Sequence, residues 1–386
     1  MTARNEVPYR DRPAAASYGF EVRVPVEYRY GVRYENGLLD RCGELLRAQF
    51  GARRFVVLTD SRVQRLHGAR LAKSLAAAGI AADTVAVQDG ERSKNLLTFK
   101  RLVDRFAELR VDRSAVLLNF GGGVTCDLGG FVASAWMRGI TYVNFATSLM
   151  AQVDAAVGGK VAVNTPSAKN LVGAFHHPEL VLGDPELLAT LSARDFRSGL
   201  AEAIKVGIIG CPELFERLER EREAVRARAP ATMVAIAGLA AKVKMDWISR
   251  DPYERDLRRP LNLGHTIGHP IETEFGYRRI RHGEAVAIGI GVATAIALRK
   301  GLLAPAAARR ILDLLDSHGL LGFSEPIRPD RVIEHVRFVR LIRGNALHFV
   351  LPLAVGNVVV TEDVSDGDLV LGFEDYEELA RERARP

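Results

Sequence analysis

The chain has 386 residues, of which 48% are apolar and 26% charged, and a formal net charge of +6. That length exceeds the usual single-core size, so two domains are expected, and the composition is that of an ordinary soluble globular protein. A pI near 9.3 does not mark a nucleic-acid binder, because the arginines are scattered and alternate with acids, as in "LFERLEREREAVRAR", which reads as a solvated helix face.

Cys42, Cys126 and Cys211 are far apart and lack CxxC spacing, which argues against a disulfide framework or a thiolate metal centre. A reducing cytoplasm is the expected compartment. Residues 1–17 are polar, contain proline and have no apolar core of signal-peptide length; they are expected to form a flexible extension. The longest apolar runs, such as "AVAIGIGVATAIAL", are too short and too glycine-rich to span a bilayer. Neither a membrane nor a nucleic acid is expected as a partner.

In chain order, "FEVRVPVEYRYGVRYE" suggests an early strand or hairpin and "NGLLDRCGELLRAQF" a helix. "RFVVLTD" is a buried strand ending in Asp60, and "SRVQRLHGARLAKSLAAAG" has helical spacing. "ADTVAVQ" is another strand, "NLLTFKRLVDRFAELR" an amphipathic helix, and "SAVLLNF" a strand running into "GGG". This rhythm predicts an α/β domain over residues 18–180, a parallel sheet with helices on both faces. Residues 181–386 read as mainly helical by period, with a late strand pair in "ALHFVLPLAV" and "NVVVTED".

Gly121, Gly122 and Gly123 stand between an apolar strand and a helix-like segment. Such glycines allow close backbone approach to a phosphate at a helix N-terminus, or else simply make room for packing. The spacing is not the GxGxxG fingerprint. Asp60, Glu91 and Lys94 follow earlier strands and would share one sheet edge with the loop, which makes a nucleotide cleft.

In "LNLGHTIGHPIE", His265 and His269 are spaced i, i+4, and His282 follows in "RHGEAVAIGIG". A catalytic zinc takes three ligands from His, Glu and Asp and keeps one position open. The pair lacks the glutamate of HExxH, so a metalloprotease is disfavoured. His282 fits an N-cap role as well as a ligand role. Glu202, in the apolar "SGLAEAIKVGIIG", must pair or bind metal if buried, and Lys205 is the obvious pairing partner. Asp154, Lys160, Lys169 and Asn170, then Lys244, Glu254, Arg258 and Asn262, place charged and polar groups in glycine-rich apolar segments. That pattern suits a small anion, since an arginine grips a carboxylate through two parallel hydrogen bonds.

Taken together, "GGGVTCDLGGFVAS", "TSLMAQVDAAVGGK", "KNLVGAFHHP", "GLAEAIKVGIIG", "LNLGHTIGHPIE" and "HGEAVAIG" resemble the sugar phosphate cyclases, most closely the 3-dehydroquinate synthase family, from about Glu21 to Asp375. The resemblance implies a Rossmann-like NAD domain, a helical C-terminal domain holding a divalent metal (Zn2+ or Co2+), and a homodimer. It makes Glu202, His265 and His282 the metal ligands and His269 a substrate contact near the leaving phosphate. Asp154, Lys160, Asn170, Lys205, Lys244, Glu254, Arg258 and Asn262 fall on its substrate pocket. Arg138 matches an arginine that reaches the partner subunit's site. Asp60, Glu91, Lys94, Gly122, Gly123, Val124, Asp127, Thr147, Ser148, Lys160 and Lys169 fall on its NAD-contacting positions. In such enzymes NAD oxidises a ring hydroxyl, phosphate leaves by elimination, the hydride returns, and the opened ring closes by an aldol step, so NAD is not consumed.

The chain departs from that pattern at Val339, Arg340 and Leu341, where Asp-Lys-Lys is usual, with Arg340 in place of a phosphate-binding lysine. Val161 and Ala162 stand for threonine and glycine, and Ala146 for a threonine. Arg258, Asn262 and His269 match the dehydroquinate pattern, so the implied reaction converts a seven-carbon keto acid phosphate to 3-dehydroquinate. The alternatives are a cyclase of sedoheptulose 7-phosphate giving a valiolone-type cyclitol, an amino-dehydroquinate synthase and, outside the family, a metal-dependent polyol dehydrogenase or a non-enzymatic nucleotide-binding module.

Overall fold

The structure, a computed structural model, describes residues 28–165, 169–254, 259–277, 279–322, 325–342 and 347–383. The expected N-terminal extension, the first part of the early strand or hairpin, and Arg258 lie outside the described residues.

Among the described residues, six strands form one parallel sheet: β1 (Gly31–Tyr34), β2 (Phe55–Asp60), β3 (Ala82–Val87), β4 (Val116–Gly121), β5 (Thr141–Ala146) and β8 (Leu180–Gly183). Their order is β1-β8-β5-β4-β2-β3. Where a hairpin was one of two readings for the early segment, the described part is a single strand, β1, paired in parallel with β8. A separate antiparallel hairpin joins β6 (Lys160–Val163) to β7 (Val172–Phe175).

Four helices accompany the sheet: α1 (Cys42–Phe50), α2 (Ser61–Ala77), α3 (Leu96–Glu108) and α4 (Gly123–Ala135). Side chains alternate faces along a strand, so Val116, Leu118 and Phe120 pack with Leu46, Leu71 and Leu75 on one side. Leu117 packs with Phe106, Leu128 and Val132 on the other. Burial on both faces explains the uninterrupted apolar strands.

The chain runs from β2 outward to β3, then returns to place β4 on the other side of β2. This reversal leaves a crevice beyond the carboxyl ends of β2 and β4, where ligands bind in such sheets. Asp60 and Gly121 end those two strands.

Beyond β8 the chain is helical: α5 (Ala193–Gly210), α6 (Pro212–Arg220), α7 (Arg222–Arg226), α8 (Pro230–Arg250), α9 (His265–Glu274), α10 (His282–Arg299), α11 (Pro305–Ser317), α12 (Pro329–Ile342) and α13 (Asp366–Arg383). The expected late strand pair is the antiparallel hairpin β9 (Phe349–Ala354) and β10 (Asn357–Thr361). Helix α10 is the centre of this half. Among the described residues it is the one helix long and apolar enough to cross a membrane, and most of it is buried in the core.

Glycines let the neighbours of α10 touch its backbone. A Cβ at Gly289 would lie 2.0 Å from the carbonyl oxygen of Gly264, and one at Gly283 would lie 1.9 Å from that of Ser198. Neither position tolerates a side chain without a shift. This close packing brings the starts of α9 and α10 against the middle of α5.

Candidate active site

The glycine loop forms one cavity at the switch point. Its walls include Asp60, Glu91, Gly122, Gly123, Val124, Thr147, Ser148, Lys169 and His282. Gly122 caps α4, so the amides of its first turn have no partner within the helix and face a site suited to phosphate. The packing reading holds for Gly121, where a Cβ would sit 2.4 Å from the Thr125 side chain. Asp60 also has a local role: its Oδ1 accepts hydrogen bonds from the amides of Arg62 (3.0 Å) and Val63 (2.9 Å) and caps α2.

Glu202, His265 and His282 come from α5, α9 and α10. Their ligand atoms all lie within 4.8 Å of one another. Nε2 of His265 and Nε2 of His282 each stand 3.4 Å from the same oxygen, Oε1 of Glu202. The other histidine nitrogens are engaged away from this point. His265 Nδ1 donates to the Leu263 carbonyl at 3.1 Å, and His282 Nδ1 to the Glu272 carboxylate at 3.1 Å. Both Nε2 atoms therefore face the Glu202 oxygen, an orientation characteristic of metal-binding imidazoles.

Glu202 is fully buried, and neither of its oxygens has a hydrogen bond of good geometry among the described residues. Burial alone would raise its pKa, but Lys205, His265 and His282 hold it well below the usual range. Burial and the Lys205 ammonium push His265 down to about 3, leaving its imidazole neutral. Although burial opposes charge on His282, the adjacent Glu202 and Glu272 carboxylates push it up to about 10. A position that favours a proton this strongly between two carboxylates also favours a cation. The three residues fit a divalent metal in number, type and geometry.

A second triangle, His269, Glu272 and His282, has the same dimensions. Its carboxylate is already committed, since Glu272 accepts from His282 through Oε2 and from Lys169 through Oε1. His269 is held down to about 4 by burial of the ring and by His282. The N-cap reading of His282 does not describe what is seen. Arg281 is the cap residue, and His282 is the first helical residue with both ring nitrogens facing carboxylates.

A second cavity, of about 530 Å³, opens on the other side of His282. That is room for a small phosphorylated ligand. Its walls include Asp127, Asp154, Lys160, Asn170, Lys205, Lys244, Glu254, Asn262, His265 and His269. Lys244 Nζ lies 2.8 Å from Asp154 Oδ1 and donates to the Asp154 carbonyl at 2.6 Å. Asp154 sits in a wide π-helical turn, Ala151–Ala155. Lys160 pairs with Glu254, and Lys205 with Glu202 at 2.5 Å, three residues apart on α5.

Other expected site residues stand elsewhere. Asp127 lines the second cavity rather than the glycine-loop cavity, and Lys94 is buried behind it, bonded to Asp127 and to Asn170 Oδ1. Lys160 also lines only the second of these two cavities. Arg340 lines neither. Its guanidinium is held by Asp366 Oδ1 (3.3 Å) and the Val364 carbonyl (3.2 Å), because α12 packs along α13 there. Arg138 is exposed on a turn that follows α4, about 20 Å along the helix from the glycine loop, and also lines neither cavity.

Two residues had no role in the sequence reading. Glu272 was legible only as a carboxylate three residues after His269, which puts both on one helix face. Asn164 donates to Glu91 Oε1 at 2.7 Å and accepts from the Asn170 amide at 3.0 Å, linking the two cavities. No spacing rule signalled it.

Fold and site together define an enzyme that sets a nucleotide cavity beside a candidate metal centre. The family models for the N-terminal and C-terminal domains of 3-dehydroquinate synthase match residues 84–198 and 199–338. The chain is 44% identical to a 2-epi-valiolone synthase of Actinosynnema mirum, over 86% of this chain and 88% of that one. It is 39% identical to a 3-dehydroquinate synthase of a Synechococcus species, over 89% of this chain and 95% of that one. The structure of a 2-epi-5-epi-valiolone synthase from Streptomyces hygroscopicus subsp. jinggangensis, with NAD+ and Zn2+ bound, matches with a TM-score of 0.87 at 30% identity, covering 93% of this chain and 100% of that one. The chain belongs to the 3-dehydroquinate synthase family of sugar phosphate cyclases, enzymes that eliminate phosphate.

Proposed function

We propose that this chain converts sedoheptulose 7-phosphate to a valiolone-type cyclitol with elimination of phosphate, as a cytoplasmic homodimer using NAD and a divalent metal. The observation that carries the choice of substrate is Arg340. It stands where the dehydroquinate pattern has a phosphate-binding lysine, and it is turned onto Asp366 and Val364. Among the described residues, each lysine lining the second cavity already faces a carboxylate. A near-neutral wall of that kind suits a sugar phosphate better than a keto acid phosphate with one more anionic group. The higher identity to a 2-epi-valiolone synthase supports the same order.

When bound, NAD supplies a hydride acceptor and donor, and the metal polarises a substrate oxygen. Glu202, His265 and His282 would hold the metal. Gly122, Gly123, Val124, Thr147 and Ser148 would hold the pyrophosphate, with Asp60, Glu91 and Lys169 around the remainder of the cofactor. Lys160, Lys205 and Lys244 meet the phosphoryl group, and Glu254, Glu202 and Asp154 fix each ammonium in place before substrate arrives. His269 and Asn262 complete the wall beside the leaving group. Arg138, at the far end of α4, would serve the partner subunit's site.

Dehydroquinate synthesis, placed first by the motifs, is the second reading. Its specific support is that Asn262 and His269, which match the dehydroquinate pattern, do line the cavity. Phosphate release from the two candidate substrates, offered side by side with a trace of NAD, separates the readings. Turnover of sedoheptulose 7-phosphate is expected. Release from the keto acid phosphate alone overturns the choice of substrate.

A further inference from the structure

Glu272 is 1% exposed, and a carboxylate that deep is costly unless both oxygens are satisfied. One oxygen accepts from His282 Nδ1 at 3.1 Å and the other from Lys169 Nζ at 2.8 Å. Lys169 lines the glycine-loop cavity, and its ammonium lies 4.7 Å from the centre of the Tyr277 ring. His282 lines both cavities. A single buried carboxylate thus ties a cation of the cofactor side to an imidazole of the candidate metal centre.

We propose that Glu272 is a positioning residue that orients His282 for metal and couples metal binding to the cofactor cavity through Lys169; this rests on the reading of Glu202, His265 and His282 as metal ligands. The bond to Nδ1 keeps the proton on that nitrogen, so Nε2, turned toward Glu202, is the one offered to a metal, and the negative charge makes it a stronger donor to a cation. Lys169 draws on the same charge. Its ammonium weakens Glu272 as an acceptor for His282, and a cofactor phosphate or carbonyl that engages Lys169 releases that charge back toward the histidine. Metal and cofactor therefore strengthen each other, and the coupling is reciprocal.

The test measures Zn2+ affinity by competition with a chromophoric chelator, and NAD+ affinity by calorimetry, on the full chain and on Glu272→Gln and Lys169→Met. Glu272→Gln keeps the shape and loses the charge. It should weaken Zn2+ binding about 10–100-fold, the usual cost of losing such a partner, with an unchanged circular dichroism spectrum. Lys169→Met should move Zn2+ affinity several-fold the other way while weakening NAD+. A purely structural carboxylate would lower thermal stability in the first variant and leave both affinities alone. Zn2+ affinities indistinguishable from wild type in both variants overturn the proposal. If Glu272→Gln does not fold, the sign of the Lys169→Met change decides. A wild-type chain that binds neither Zn2+ nor NAD+ would instead overturn the reading on which the proposal rests.

Discussion

Lys205 Nζ lies 2.5 Å from Glu202 Oε2, with both side chains buried, and the opposite oxygen of the same carboxylate faces two imidazoles. The pair is therefore both a satisfied ion pair and part of a cation site. Burial favours neutral Lys205, but Glu202 and Asp154 raise its pKa and keep it charged.

The two halves of that pair should fail differently. Glu202→Gln removes a proposed metal ligand and leaves Lys205 without its nearest carboxylate, a change that costs on the order of 3–5 kcal/mol for a broken buried pair. Metal content should fall to trace, turnover should vanish and the urea midpoint should drop. Lys205→Met should keep its metal and still lose turnover. Metal analysis with urea denaturation checks both variants.

His265 and His269 sit one helical turn apart, with ring centres 5.2 Å apart, yet they face different groups. His265→Ala should abolish turnover and metal content together. His269→Ala should lower turnover at least about 100-fold, the scale of lost acid–base assistance, with the metal retained. Equal metal loss in the two variants would show that both imidazoles ligate.

Much of the fold was legible because its elements are local. "FVVLTD" and "VLLNF" are buried on both faces, and continuous β-branched and aromatic runs report that directly. Helix α10 was legible for a related reason, since a chain of small and apolar residues has to be buried. The candidate metal triangle was not legible from spacing, because Glu202, His265 and His282 stand on three helices that meet through close backbone contacts such as those at Gly264, Gly283 and Gly289. Resemblance supplied the ligand set, and it also carried Lys94 to the cofactor side. The structure turns Lys94 toward Asp127 and Asn170, whose polar atoms satisfy its buried ammonium. Glu272 escaped notice because its partners are 10 and 103 positions away.

Arg340 supplies a test in which the structure and the motif comparison disagree. A phosphate-binding cation would raise KM sharply when removed. Bound instead to Asp366 on a half-exposed surface, Arg340 should leave kcat and KM unchanged when replaced by Ala. Its ion pair contributes no more than about 1 kcal/mol, so the loss of thermal stability should be small. A large rise in KM would return Arg340 to the active site.

The Asp154–Lys244 pair predicts a pH dependence of stability. Burial would raise the Asp154 pKa, but Lys244 and Lys205 lower it to about 2, below the ordinary range of an aspartate. A depressed carboxylate pKa contributes stability that is present above the unfolded value and is lost as pH falls toward the folded one. Wild type should therefore be more stable than Lys244→Met near neutrality, and the difference should shrink as pH falls through the carboxylate range toward the folded-state value near 2. Urea denaturation across that range measures it, and a difference independent of pH would exclude the pair as its source.

Gly283 links the fold to the chemistry most directly. It follows His282, its amide donates to Ser198 Oγ at 2.9 Å, and a Cβ there would overlap the Ser198 carbonyl. Ser198 lies one turn before Glu202 on α5, so any separation of the two helices at this point also separates Glu202 from His282. Gly283→Ala should cost about 1–3 kcal/mol, as overpacking does, and should weaken metal binding by more than its effect on stability explains. Gly291→Ala, which is overpacked against the Tyr376 ring two turns further along α10, should cost as much stability while disturbing the metal less. Parallel measurements of the urea midpoint and Zn2+ affinity separate the two effects. If both alanines weaken Zn2+ equally, the contact at Ser198 does not set the spacing of the triangle.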